Sequence, residues 1–99
     1  MSKPWILKSG SNRGNRRIWI EGNRLISAGF NCGDRLTRTV EGGLLTLTRD
    51  PEGKHRIAGK PDRPILDLCG QWVTEFIGDH SHFAVATTTT TIGIVPTNK

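Results

Sequence analysis

The sequence has no tyrosine, one methionine and two cysteines among its 99 residues, and no apolar run approaches the roughly 20 residues of a membrane span. These scarcities argue against a membrane protein and against a disulfide-stapled secreted scaffold. The N-terminal segment also lacks the apolar stretch and cleavage pattern of a secretory signal, which favours a cytoplasmic location. Cys32 and Cys69 form no C-x-x-C pair, so we expect reduced, buried cysteines.

Acidic residues are the scarcer charged class, with nine Asp and Glu against 14 Lys and Arg and a net charge of +5. Residues 1–63 carry 13 of the 14 basic residues and six acids, whereas residues 64–99 carry one base and three acids. Nine of the cations are arginines, whose guanidinium groups bind phosphates in a forked geometry. This asymmetry predicts a one-sided basic surface that binds nucleic acid; the alternative is a surface that merely confers solubility.

Turn residues divide the chain into four segments. Residues 1–16 are expected to form a flexible basic arm, because residues 9–15 have linker composition. We expect residues 17–49 to form a first structural unit, residues 50–63 a polar linker, and residues 64–96 a second unit. Together, residues 16–96 are expected to make one compact domain. The pattern predicts strands at 18–20, 35–40, 44–48, 65–68, 81–87 and 91–95 and short helices at 24–28 and 71–76.

The second unit repeats the first, because strand, short helix and hairpin recur in the same order. The tetrapeptide Gly70-Gln71-Trp72-Val73 lies 48 residues after Gly22-Asn23-Arg24-Leu25. Each unit has too little apolar surface to fold alone. The sequence therefore predicts a mainly β fold: one barrel with two short helices, built from two internal repeats that exchange hairpins and share a core.

The stretch from Ile18 to Thr48 resembles the SymE-like toxin family, a branch of the AbrB/MazE swapped-hairpin superfamily. The matching positions are Gly22, Leu25, Ala28, Gly29, Phe30, Gly33, Glu41, Gly42, Leu45, Leu47 and Thr48. Arg24 stands where the family prefers Trp, and Trp72 supplies that residue in the second repeat, which lacks the Ala-Gly-Phe and Glu-Gly motifs. The resemblance implies a swapped-hairpin barrel that binds DNA, as the AbrB branch does, or cleaves RNA or binds the nucleoid, as the SymE branch does.

The resemblance also implies which arginines meet the nucleic acid, and the predicted arm adds one more. The expected nucleic-acid-binding residues are Arg13, Arg16, Arg17, Arg24, Arg35 and Arg38. We expect a DNA-binding regulator or nucleoid-type protein, with DNA favoured over RNA and a homo-oligomer possible. Trp5 on the arm and Trp19 on a strand are expected partner contacts, including contacts to a protein partner through the arm, whereas Trp72 is expected in the core.

The only catalytic candidates are His80 and His82, which would share one face of the predicted strand 81–87. Such a pair would support acid–base RNA cleavage or bind a metal ion. The candidates for a third metal ligand are Asp79, His55 and Cys69. The alternative is that both histidines are ordinary polar strand residues. We expect no metal site and no cofactor. Two other functions remain open: a SymE-like RNA endonuclease toxin, and a protein-interaction module of a toxin–antitoxin, phage or plasmid system.

Overall fold

The computed structural model describes residues 4–98. It is a mainly β protein, 55% strand and 13% helix, with a curled, barrel-like sheet. The strands are β1 (Trp5–Lys8), β2 (Gly10–Asn12), β3 (Asn15–Glu21), β4 (Arg35–Glu41), β5 (Leu44–Arg49), β6 (His55–Arg56), β7 (Ala58–Lys60), β8 (Arg63–Cys69), β9 (His82–Thr87) and β10 (Thr91–Thr97), and the helices are α1 (Asn23–Ser27) and α2 (Gln71–Ile77). The predicted mainly β fold with two short helices is confirmed.

The internal repeat is present and is longer than the sequence indicated. The order β3–α1–β4–β5 recurs as β8–α2–β9–β10, and β8 begins at Arg63, 48 positions after β3 begins at Asn15. The preceding strands obey the same offset, since β7 begins at Ala58 and β2 begins at Gly10. Strands β1 and β2 therefore correspond to β6 and β7, and each repeat contains five strands and one helix.

The two repeats exchange edge strands in the larger sheet and lie side by side in the smaller one. The six-stranded sheet has the order β1-β9-β10-β5-β4-β6, and the four-stranded sheet has the order β2-β3-β8-β7. Strand β1 thus pairs with the hairpin of the second repeat, and β6 pairs with the hairpin of the first. Arg17 lies opposite Cys69 and Glu21 lies opposite Ile65, a register that is unchanged when equivalent residues are swapped. The repeats are therefore related by a pseudo-two-fold axis.

The hydrophobic core lies between the sheets and receives side chains from both repeats. In β3, Ile18 and Ile20 are buried while Trp19 between them is 38% exposed, which is the alternation expected of a strand with one covered face. The buried core consists of Ile18, Ile20, Leu25, Phe30, Leu36, Leu45, Leu47, Ile57, Leu66, Leu68, Val73, Ile77, Phe83, Val85, Ile92 and Ile94. Neither repeat would bury these residues by itself.

The predicted flexible arm and linker are wrong for most of their length. Residues 5–8 and 10–12 form β1 and β2, and the Ser9 amide between them donates to the Ser81 carbonyl at 2.9 Å; residues 1–3 lie outside the described part of the chain. The segment 50–63 contains β6 and β7, and Ile57 within it is fully buried. Short edge strands such as these are set by tertiary pairing, which local composition does not reveal.

The expectation of buried cysteines also needs correction. Both cysteines are free, but Cys69 is exposed and Cys32 is only half-buried, because β8 turns the Cys69 side chain away from the core. Gly22, at φ 74°, occupies the capping position of α1, and no side chain caps the helix. Neither of the two helices found between residues 4 and 98 is long and apolar enough to cross a membrane.

Gly53 holds the second repeat against the first, and we predict that Gly53→Ala strongly destabilises the protein. A Cβ at this buried position would lie 2.8 Å from the Leu36 nitrogen and closer still to the Leu36 carbonyl. Gly10→Ala is the matched control, since its Cβ would meet only ordinary contacts at 3.8 Å or more. We expect a loss of about 2 kcal/mol for Gly53→Ala, or roughly 8–16 °C in Tm, and equal melting of the two variants would contradict it.

Candidate nucleic-acid interface

The six predicted arginines do not form one surface, and Arg16 has a structural role. Its guanidinium donates to the Gly78 carbonyl at 3.0 Å and the His80 carbonyl at 2.8 Å, and also to the Ser9 hydroxyl. Gly78 is the C-cap of α2. Arg16 therefore satisfies carbonyls that the helix end leaves without partners, where a positive charge also complements the helix dipole.

Arg17 and Arg35 are also engaged within the protein. Arg17 makes two hydrogen bonds of 2.8 Å to the Asp67 carboxylate, and its guanidinium lies 4.4 Å from the centre of the Trp19 ring. The hydrogen bond to Asp67 raises the pKa of Arg17 above its usual value, so the guanidinium stays charged at every accessible pH. Arg35 donates to the Gly53 carbonyl at 3.0 Å. These two arginines mainly join the repeats.

Arg49 is a structural arginine that the sequence reasoning did not identify. It forms an ion pair with Asp34 at 2.9 Å and donates to the Thr89 carbonyl at 2.8 Å and to the Gly29 carbonyl. Its guanidinium also lies 4.0 Å from the centre of the Phe30 ring. Arg49 therefore supports the end of α1 as Arg16 supports the end of α2. The only sequence signal for a cation at the end of α1 is that Gly29 and Asp34, which Arg49 contacts, lie close together in the sequence.

Three of the predicted arginines make no hydrogen bond and no ion pair within residues 4–98: Arg13, Arg24 and Arg38. Arg13 occupies the β2–β3 turn in a left-handed conformation, at φ 53°. The guanidinium of Arg24 on α1 lies 6.0 Å from the centre of the Trp5 ring. The guanidinium of Arg38 on β4 lies 4.0 Å from the centre of the Trp72 ring. All three are exposed and retain their N–H donors for a ligand.

The residues around Arg38 form the candidate site, which we call the Arg38 cluster: Arg38, His55 and Trp72. Strand β6 places His55 opposite Leu36, two residues before Arg38. The His55 ring lies 5.8 Å from the Trp72 ring at an angle of 52°. Burial, and then the nearby Arg38 charge, lower the pKa of His55 below its ordinary value of 6.5. The imidazole is therefore neutral at pH 7.

Two grooves meet at Arg38. A polar groove of about 410 Å³ is lined by Thr37, Arg38, Glu52, Lys54 and His55. An apolar groove of about 390 Å³ is lined by Arg38, Val40, Trp72, Glu75 and Phe76. Lys54 is exposed and adds a second cation to the polar groove. The sequence reasoning placed Trp72 in the core and treated His55 only as a guessed metal ligand; the β4–β6 pairing that joins them follows from the full repeat.

The pseudo-two-fold axis relates Trp72 of the Arg38 cluster to Arg24 on α1. Arg24 on α1 and Trp72 on α2 are equivalent positions, 48 residues apart. Arg24 lies over a Trp from a neighbouring strand, Trp5, while Trp72 lies under an Arg from a neighbouring strand, Arg38. The two helices therefore each carry one half of an Arg–Trp stack, at corresponding places on the barrel.

The histidine pair does not form the expected strand motif. Strand β9 begins at His82, so His80 precedes it. The Nδ1 atom of His80 lies 2.9 Å from the Ile77 carbonyl, to which it donates, and Nδ1 of His82 lies 2.7 Å from the Ser81 hydroxyl. Across residues 4–98 no three His, Cys, Asp or Glu side chains are grouped to hold a metal ion, so Asp79, His55 and Cys69 do not complete a site with this pair.

The two tryptophans expected to contact a partner differ in exposure. Trp5 is half-buried in β1, where it pairs with Val85, so it is not the freely exposed arm residue that we expected. Trp19 is 38% exposed, but its Nε1 donates to the Glu21 carboxylate at 2.9 Å and Arg17 covers its ring. Neither of them lines the two grooves that meet at Arg38. Comparisons of the chain with family models, curated proteins and solved structures find no match.

The division of the arginines into structural and unpaired groups predicts unequal effects on stability. Arg16→Met removes charge-assisted hydrogen bonds at the end of α2 and should lower the unfolding free energy by about 1.5 kcal/mol. Arg24→Gln removes no hydrogen bond and keeps a good helix former, so its effect should stay below about 0.5 kcal/mol. Urea unfolding of both variants measures the difference, and equal stabilities would refute the assignment of Arg16.

The lowered pKa of His55 predicts a stability that falls in mild acid. Below about pH 6.5 the unfolded chain binds a proton at His55 that the folded chain resists, so the unfolding free energy decreases as the pH falls through that value. His55→Gln should flatten this dependence between pH 7.5 and 5, while His80→Gln should keep it. Arg38→Gln should raise the His55 pKa, as read by NMR titration; an unmoved pKa would show that Arg38 does not act on His55.

Proposed function

We propose that this protein binds nucleic acid, DNA in preference to RNA, as a regulator or nucleoid-type protein. The observation that carries the proposal is the pair of Arg–Trp stacks at equivalent places on α1 and α2, each with an unpaired guanidinium. Duplex DNA has a two-fold axis of its own, and two-fold-related protein surfaces commonly bind it in matching half-sites. Arg24 and Arg38 are the residues proposed to contact DNA first.

The charge distribution supports this proposal. The net charge is +5, and the three ion pairs among residues 4–98 use Arg17, Arg49 and Arg63. The exposed cations outside these pairs are Lys8, Arg13, Arg24, Arg35, Arg38, Lys54, Arg56 and Lys60. Lysines and arginines that contact phosphates release condensed counterions, which supplies sequence-independent affinity.

The fold supports membership in the AbrB/SymE-like swapped-hairpin group as part of the same proposal. The repeated order of strand, short helix and hairpin, with strands exchanged between repeats, is the arrangement that the resemblance implied. The free state of Cys32 and Cys69 supports the proposed cytoplasmic location. No contact among the described residues favours the RNA endonuclease alternative, because His80 and His82 face separate neighbours.

A salt titration tests the proposal directly. We expect wild-type protein to bind duplex DNA with an affinity that falls steeply with salt. The double variant Arg24→Gln with Arg38→Gln should weaken binding and reduce the slope of log K against log salt by up to about 1.8, or about 0.9 for each lost phosphate contact. Single-stranded RNA, checked for integrity on a gel, runs alongside.

The matched control removes charge elsewhere. Lys60→Gln alters an exposed residue on β7, in the other sheet, and should leave the affinity and slope close to those of wild type. No binding at low salt would refute the proposal and leave a protein partner as the leading alternative. Equal losses from Lys60→Gln and from Arg38→Gln alone would show that net charge, rather than the Arg–Trp stacks, attracts the DNA.

A further inference from the structure

Phosphate binding does not explain the apolar groove beside Arg38. Val40 lies two residues after Arg38 on β4, hence on the same face of the strand, and is 46% exposed. Trp72 and Phe76, on successive turns of α2, are half-buried and form the opposite wall. A protein that bound only phosphates would have no use for an open channel between a valine and two aromatic rings.

Arg38 is the shared wall between this channel and the polar groove. On its other side lie Thr37, Glu52, Lys54 and His55. The Thr37 hydroxyl donates to Asp50 at 2.6 Å, so Arg38 and Lys54 are the groups left to bind an anion there, and their two positive charges exceed the single negative charge of Glu52. An apolar, aromatic channel and a polar groove with two cations thus adjoin, with the Arg38 guanidinium between them. The two grooves are therefore complementary to a nucleotide, in which a flat base is joined through a sugar to a phosphate.

We propose that the two grooves together bind a single nucleotide unit of a DNA strand whose base is unpaired. The base enters the apolar groove between Val40 and the Trp72 and Phe76 rings, and its phosphate lies in the polar groove against Arg38 and Lys54. A base inside a duplex is stacked on both faces and paired at its edge, so it cannot enter. The inference rests on the proposed function and adds a preference for overhangs, single strands or extruded bases.

Glu75 provides a further element of selectivity at the rim of the apolar groove. Its Oε2 accepts a long hydrogen bond of 3.3 Å from Gln71, which leaves acceptor capacity on the carboxylate. An exocyclic amino group, as adenine carries, would donate to it. An adenine overhang is therefore the most suitable probe.

The test compares two DNA duplexes of the same sequence, one blunt and one with a four-nucleotide dA overhang, by fluorescence anisotropy at fixed salt. We expect wild-type protein to bind the overhang duplex about tenfold more tightly, the size of effect that stacking of one base on aromatic side chains gives. Val40→Gln should remove most of this advantage and leave the affinity for the blunt duplex unchanged.

The control is Val95→Gln, the same substitution at a valine that is 44% exposed on β10 and lines neither groove. It should keep the overhang preference. Equal binding of the two duplexes by wild type, or a preference that survives Val40→Gln, would overturn the inference while leaving duplex binding intact. Failure to bind either duplex would instead refute the proposed function.

Free dAMP tests whether the grooves bind a nucleotide within a DNA strand or a free nucleotide. We expect millimolar dAMP to compete weakly and to shift the NMR signals of Trp72 and His55, while the overhang advantage persists at lower dAMP concentration. Shifts with dAMP in a protein that has no overhang preference would assign the grooves to free nucleotides and overturn the strand-borne proposal.

Discussion

The structure depends on the pairing of equivalent strands from the two repeats, β3 with β8 and β5 with β10. Each pairing closes a surface that a single repeat would leave open, and the core between them is filled from both halves. Ile18 opposite Leu68 and Leu45 opposite Ile94 show how the apolar positions meet across the axis. The pseudo-two-fold axis maps each of these strand pairings onto itself. Equivalent residues therefore occupy equivalent backbone positions, whatever side chains they carry.

A comparison of equivalent positions in the two repeats shows that some of the arginines stabilise the fold. Arg16 in the first repeat supports the end of α2, and Arg49 supports the end of α1. The hairpins β4–β5 and β9–β10 are offset by 47 residues rather than 48. The equivalent positions in the second repeat are therefore Pro64 for Arg16 and Pro96 for Arg49, and neither proline carries a charge. Some of the arginine excess in the first half therefore serves helix ends and inter-repeat ion pairs. Only the unpaired remainder is available for a nucleic acid.

The sequence predicted the elements of the fold better than the roles of its side chains. The six main strands, both helices and the repeat were all predicted within a few residues, because alternating burial and glycine turns leave a local signal. Edge strands β2, β6 and β7 were missed, since only their partners hold them in place. The site was half predicted. Arg24 and Arg38 are exposed as expected, but Arg16 is not available, because it donates to the carbonyls of Gly78 and His80 just after α2.

The departures from symmetry explain why the Arg38 cluster has no second copy. On the α1 side, the positions equivalent to Arg38 and His55 hold Val85, which is buried, and Leu7, which packs against the core. These apolar residues occupy the place where the α2 side has a polar groove. Trp5 and Arg24 therefore form a stack without an adjoining polar groove. In the proposed nucleotide complex, each protein molecule binds one unpaired base, beside α2, while the α1 stack contributes to phosphate contacts alone.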